Sequence, residues 1–210
     1  MSASRLDREL LLSVAGGLGA RVTSSSDSTA YVRSNDCQDC LQDLQRFLRD
    51  DDLDTREAFF AINQSNICRT DLCPLIEAYS EDTRLVYSAL KVATFLTLPI
   101  SPDSQHQPQQ VASQRAADAF VSSEALAVVV GLVVAPLERH PRMTEEDAMI
   151  VQLVIAFLRN LVTLPDPPLT AGSQRENRAH LRARLLQRLL DTHAMELLNL
   201  MAQHMHEARD

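Results

Sequence analysis

At 210 residues, 45% hydrophobic and 23% charged, the chain has the composition of one folded domain or a short stack of repeats, which excludes disorder throughout. A net charge of −8 and a pI near 5.2 exclude a strongly basic nucleic-acid binder, because DNA affinity comes largely from displaced phosphate counterions; any DNA contact must be local. Five glycines, three tyrosines and no tryptophan, set against abundant Leu, Ala, Val, Arg and Glu, favour helices over a turn-rich β-architecture, so an all-α fold without a sheet is expected.

In chain order, Arg5 to Leu18 has helical spacing. Asp7 and Glu9 cancel Arg5 and Arg8 ahead of the apolar stretch Leu10 to Ala20, so an amphipathic first helix is a better reading than a secretory leader. Gly16, Gly17 and Gly19 end that helix, and a polar loop is expected near 20–34, centred on the Ser/Thr/Asp tract Thr23 to Thr29. From Asp36, the positions Cys37, Cys40, Leu41, Leu44, Phe47 and Leu48 recur at three and four and predict one helix face. Asp54 and Glu57 have capping-box spacing for a short helix through Ala58 and Ile62.

Thr70 or Asp71 is placed to cap the next helix, with Pro74 in its first turn, where a missing N–H costs little. Asp82 opens a helix carrying Leu85, Val86, Ala89, Leu90, Ala93 and Leu96 that must stop before Pro99. Residues 100–110 read as a polar linker. A helix near Gln110 to Phe120, a very apolar one from Ser123 to Arg139 and a third opened by a Thr144/Asp147 capping box follow. The longest apolar run, Ala125 to Leu137, falls short of the roughly 20 residues of a membrane span, so no membrane crossing is expected.

The third of these helices ends at Pro165 in Val-Thr-Leu-Pro, and the earlier one at Pro99 in Leu-Thr-Leu-Pro. Two long helices ending alike hint at an internal repeat of the armadillo or HEAT kind. A second loop, near 165–176, leads into an Arg-rich helix and a last one from Asp191 or Thr192 to about His206. The apolar surface of that last helix, with Met195, Leu198 and Leu200, suggests one helical-repeat region, 1–210, belonging to something longer, since a stack needs polar caps.

Several unlinked segments carry a family resemblance. The run Asp43-Leu-Gln-Arg-Phe-Leu-Arg-Asp50, the turn Asp54-Thr-Arg-Glu57 and the stretch Asn66-Ile-Cys-Arg-Thr-Asp-Leu-Cys-Pro-Leu-Ile76 come first. Asp82-Thr-Arg-Leu85 and Glu146-Asp147 through Phe157-Leu-Arg-Asn-Leu161 to Pro165 complete the set. In order and spacing these resemble the N-terminal region of the Timeless proteins of the replication fork protection complex. The resemblance implies a right-handed armadillo/HEAT-like solenoid of about eight or nine helices. It also implies a nuclear, non-enzymatic scaffold for fork stability, pausing and checkpoint signalling. Its implied partners are a Tipin-like protein, a Claspin-like mediator and the replicative helicase, with double-stranded DNA as a further candidate and no cofactor or small-molecule substrate. The rival is a generic armadillo adaptor gripping an extended peptide in its groove.

Sharper chemical readings compete with plain ones. Cys37-x-x-Cys40 with Cys68 and Cys73 has the ligand number of a zinc site, but these cysteines fall where core thiols serve, and four cysteines without a leader point to a reducing compartment. Asp50, Asp52 and Asp54 start like a calcium loop; Thr55 and Ala61 then occupy its glycine and glutamate places. His193, His204 and His206 lack a carboxylate at ligand spacing, and Val22 breaks a dinucleotide fingerprint at Gly16, Gly17 and Gly19. No P-loop, nucleophile elbow or HExxH motif points to an enzyme. Nineteen of the twenty basic residues are arginines, Lys91 being the lone lysine. Arg175, Arg178, Arg182, Arg184 and Arg188 form the one basic concentration. A DNA or acidic-peptide contact is one reading of it, and a solvated helix face relieved by Glu176 and Asp191 the other.

Overall fold

The computed structural model describes residues 8–23, 29–99, 107–166 and 180–207. The expected N-terminal helix is α1, Arg8–Gly16, which buries Leu11 and Ala15. The segment expected as a loop departs from the sequence reading. It holds a hairpin, β1 (Gly19–Thr23) with β2 (Thr29–Arg33), antiparallel with Gly19 opposite Arg33 and Thr23 opposite Thr29. Tyr31 anchors it: the ring is buried between exposed Ala30 and Val32, and its hydroxyl donates to Asp71 at 3.0 Å. Gly19 is required by close approach, since a Cβ there would lie 2.4 Å from the Val32 carbonyl oxygen. The expectation of no sheet is thus corrected by this one small hairpin.

Helix α2 (Cys37–Arg49) buries Cys37, Leu41, Leu44 and Leu48, four of the stripe positions named above. The N-terminus of α3 (Glu57–Gln64) is not the expected Asp54/Glu57 box. Arg56 takes the cap position in the left-handed region at φ 52°, and the cap acceptor is Asp51, whose two carboxylate oxygens each accept a backbone N–H, from Ala58 and Phe59, at 3.0 Å. Asp52 closes the preceding turn by accepting from the N–H groups of Asp54 and Thr55. A π-helical turn, Cys68–Leu72, then runs directly into α4 (Cys73–Ala78) with Pro74 in its first turn, so neither Thr70 nor Asp71 acts as a cap there.

Helix α5 (Thr83–Leu96) starts at Asp82, whose carboxylate accepts from the Leu85 N–H at 3.1 Å. Helix α6 (Gln107–Val121) begins inside the stretch read as linker. The apolar run after it divides into α7 (Ala125–Gly131) and α8 (Val134–Glu138). Pro136 explains the break, lacking an N–H and crowding the carbonyl four residues back. Glu77 of α4 accepts from the N–H groups of Glu124 and Ala125 and so closes the start of α7. Helix α9 (Glu145–Thr163) has the full Thr144/Asp147 box, with both reciprocal bonds near 3 Å. Helices α10 (Leu181–Asp191) and α11 (Ala194–Glu207) complete the described chain.

The helices pack in two rows. Helix α5 lies against α2 on one side and α9 on the other; behind them α1, α3, α6 and α10 form a second row. One continuous core joins the rows, and Leu41, Leu44, Phe59, Ile62, Leu90, Phe120 and Phe157 in it are fully buried. The like-ended helices use one device: the hydroxyls of Thr97 and Thr163 both donate to the carbonyl four residues earlier, at 2.9 Å. Thr94 and Asn160, equivalent under the same 66-residue offset, also touch, the Asn160 amide donating to the Thr94 carbonyl at 3.2 Å. Among the described residues, no single helix is long and apolar enough to cross a membrane.

Two helix starts make the fold acid-sensitive. The Thr144 N–H, with the Thr144 hydroxyl and Arg139, holds the Asp147 carboxyl below the usual carboxylate range, and Arg33 with the Leu85 N–H does the same for Asp82. A depressed folded pKa gives stability that is present above the unfolded value of about 3.9 and lost as pH falls through the folded one. Asp147→Asn should therefore melt earlier than wild type at pH 7. By about pH 2 the difference should close. Thermal melts followed by circular dichroism at the two pH values check this.

Candidate interaction surface

Three of the five arginines in the basic run lie within the described residues; Arg175 and Arg178 lie outside them. Arg184 reaches from α10 to α6, its guanidinium donating to Asp118 at 2.8 Å and to the Ser122 hydroxyl at 2.6 Å. Arg188 donates to the Ser123 carbonyl at 2.7 Å and pairs with Glu124 at 3.0 Å. Arg182 is exposed; its backbone N–H donates to Asp166, which closes the N-terminus of α10, and its guanidinium approaches the Val162 carbonyl at 3.4 Å. Arg184 and Arg188 thus tie α10 to α6 and the turn after it.

Asp118 is the centre of that tie. Its side chain is 9% exposed and accepts from Arg69 on one oxygen and Arg184 on the other, both at 2.8 Å. The π-helical turn, α6 and α10 are joined through one carboxylate. Isolated carboxylates are rarely buried, so an Asp inside the otherwise Ala-rich face of α6 was the available sequence signal.

The cysteines are core thiols. Cys37, Cys68 and Cys73 are buried and Cys40 is half-buried, all four unpaired. Burial pushes Cys37 up to about 11, Cys73 up to about 12 and Cys68 well above its ordinary value. Thiolate is the reactive form, so native chain at pH 8 should react slowly with a disulfide reagent, Cys40 first, and release all four thiols only after denaturation. Counting thiols by absorbance before and after guanidinium tests this; four fast-reacting thiols would contradict it. Among the described residues no three His, Cys, Asp or Glu side chains gather as a metal site. His193 lies 3.3 Å from Glu196, and the side chains of His204 and His206 lie outside the described residues.

The open surface lies on the first row. Two hollows of about 520 and 630 Å³ meet at Gln38 and Arg84 and form one groove along the seam between α2 and α5, reaching α9 at Glu146, Met149 and Ile150. Gln38, Gln42 and Gln45 stand along its α2 edge, at spacings of four and three that put them on one helix face. Ser88 orients two of them, its hydroxyl accepting from the Gln38 amide at 2.8 Å and its carbonyl from Gln45 at 3.0 Å. On the α5 edge, Lys91 sits over the Tyr87 ring at 4.3 Å, and at the far end Arg33 covers Tyr79 at 4.8 Å while pairing with Asp82 at 2.7 Å. Neither Arg84 nor Lys91 has an acidic partner within 4 Å among the described residues. Sequence reasoning used the apolar stripe of α2 and passed over its glutamine edge.

Two packed rows of helices with an open polar groove along one of them define a helical platform. The profile of the Timeless protein family matches residues 30–210, and the chain belongs to that family. It is 26% identical over 183 residues to topoisomerase 1-associated factor 1 of Coccidioides immitis, covering 77% of this chain and 15% of that protein. It is 25% identical over 151 residues to the human protein timeless homolog, covering 66% of this chain and 12% of that one, and the mouse homolog is 26% identical over 147 residues, covering 64% and 12%. The chain thus spans less than a sixth of the length of each of these relatives.

Proposed function

We propose that this chain is a non-enzymatic helical-repeat region that works in the nucleus at replication forks, as part of a fork protection assembly supporting fork stability and checkpoint signalling. The observation that carries the reading is the family match across residues 30–210. Supporting it is the contact between Thr94 and Asn160, equivalent positions of two like-ended helices, as expected of adjacent units in an armadillo/HEAT-like solenoid. The proposed partners are a Tipin-like protein, a Claspin-like mediator and the replicative helicase. Co-precipitation from chromatin of replicating cells tests this: the Tipin-like partner should be recovered with the chain, and its absence alongside normal folding would overturn the reading.

The basic run enters with divided roles. Arg184 and Arg188 are tied to α6 and the turn after it, so the proposed DNA or partner contact narrows to Arg175, Arg178 and Arg182. Charge reversal at Arg178 and Arg182 that left duplex DNA and partner binding unchanged would end that part. The rival reading, an adaptor for an extended peptide, is favoured by one observation, the groove between α2 and α5.

A further inference from the structure

The geometry points to an acidic, extended peptide as the occupant of the groove between α2 and α5. This rests on the peptide-adaptor reading given above for that groove and adds the chemistry of what docks. Arg84 and Lys91 stand seven residues apart on α5, two turns of one face, about 10 Å along the axis. An extended chain of the polyproline-II kind advances about 3.1 Å per residue and returns to the same face every third residue, so two carboxylates three residues apart reach both cations. Neither cation has an acidic neighbour within ion-pair distance among the described residues, and this occurs on a chain of net charge −8. Lys91 is also held in place by its seat on Tyr87, which leaves less side-chain freedom to lose on binding.

The opposite edge suits a peptide backbone. Gln38 and Gln42 are four residues apart, about 6 Å along the helix, close to the advance of two residues of such a chain. Each amide offers a donor and an acceptor, which suits a polyproline-II backbone, whose N–H and C=O groups have no internal partners. Ser88 takes one N–H from Gln38 and one from Gln45, and among the described residues the three amide oxygens accept no hydrogen bond. Met149 and Ile150 of α9 supply an apolar wall for a side chain between the two carboxylates. Glu146, the one acid lining the inner hollow, stands on the α9 side and steers acidic side chains to the α5 edge. Asp82, at the outer hollow, is already engaged by Arg33.

Fluorescence anisotropy on the full chain tests this with an end-capped, labelled peptide, Ser-Gly-Glu-Leu-Val-Glu-Gly-Ser, and its counterpart with both glutamates replaced by lysine. The acidic peptide should bind saturably with a Kd on the order of 10–100 μM, and the lysine peptide should not. The double variant Arg84→Glu/Lys91→Glu should weaken binding at least tenfold, Gln42→Ala about threefold, and Glu146→Gln should strengthen it, each with unchanged helical circular dichroism. No binding of the acidic peptide, equal binding of the lysine peptide, or indifference to Arg84→Glu/Lys91→Glu would overturn the inference. Competition by a duplex oligonucleotide lost in the same double variant would overturn it too, assigning the groove to nucleic acid. Recovery of the Tipin-like partner by the double variant separates the two ideas: it leaves the fork reading standing whatever the peptide does.

Discussion

Phe157→Ala should lower stability by about 3–5 kcal/mol and the melting temperature by about 10 °C. Phe157 is fully buried on α9 and meets Phe120 of α6 edge-to-face, ring centres 4.8 Å apart at 68°. These two rings join the two rows where α9 meets α6. Truncation loses the transfer energy of the ring, leaves a cavity because surrounding helices relax only partly, and forfeits about 1 kcal/mol of oriented aromatic contact. Set against a total stability of about 5–15 kcal/mol, that is a large share. Phe157→Leu, which keeps most of the volume, should cost less than half as much. Guanidinium unfolding followed at 222 nm separates the three proteins; equal midpoints for the alanine variant and wild type would mean that the rows do not pack through this contact.

Asp118→Ala should be the next most damaging change, at about 2–3 kcal/mol. The carboxylate is nearly buried and holds two arginines, Arg69 from the π-helical turn and Arg184 from α10. Removing one member of a buried ion pair ordinarily costs more; here the arginines are 50% and 34% exposed and recover part of their hydration once released. Asp118→Asn keeps the shape and one acceptor, so it should fall between wild type and alanine. A readout specific to the tie is hydrogen exchange: amides of α10 should lose protection in Asp118→Ala while those of α2 keep theirs. Uniform loss across both helices would contradict the assignment.

Local chemistry decided what was legible in the sequence. Helices α2, α5 and α9 were readable because their apolar positions recur at helical spacing and because Asp82 and the Thr144/Asp147 pair start helices by bonds between near neighbours. The family was readable from short segments in a fixed order, which no single motif would have supported. What failed depended on distant partners. Strands β1 and β2 are short, with exposed, mixed residues, and Tyr31 is held by Asp71, forty positions away. Helix α3 is capped by Asp51, seven residues before the first N–H it binds, whereas the box spacing pointed to Asp54.

The candidate surface was legible in pieces. Five arginines spaced along one region announced a basic face, but nothing in the sequence said that Arg184 would find Asp118, 66 positions back. Lys91 was visible as the lone lysine, and its place over Tyr87 beside a glutamine edge follows only from how α2 and α5 pack.

Isothermal titration of the purified chain with a purified Tipin-like partner, beside Phe157→Ala as a packing control, tests the proposed docking of this Timeless-family chain at the fork. Saturable one-to-one binding is expected, weakened in the control in step with its lost stability. Heat changes no larger than dilution, from a chain whose circular dichroism is fully helical, would contradict it.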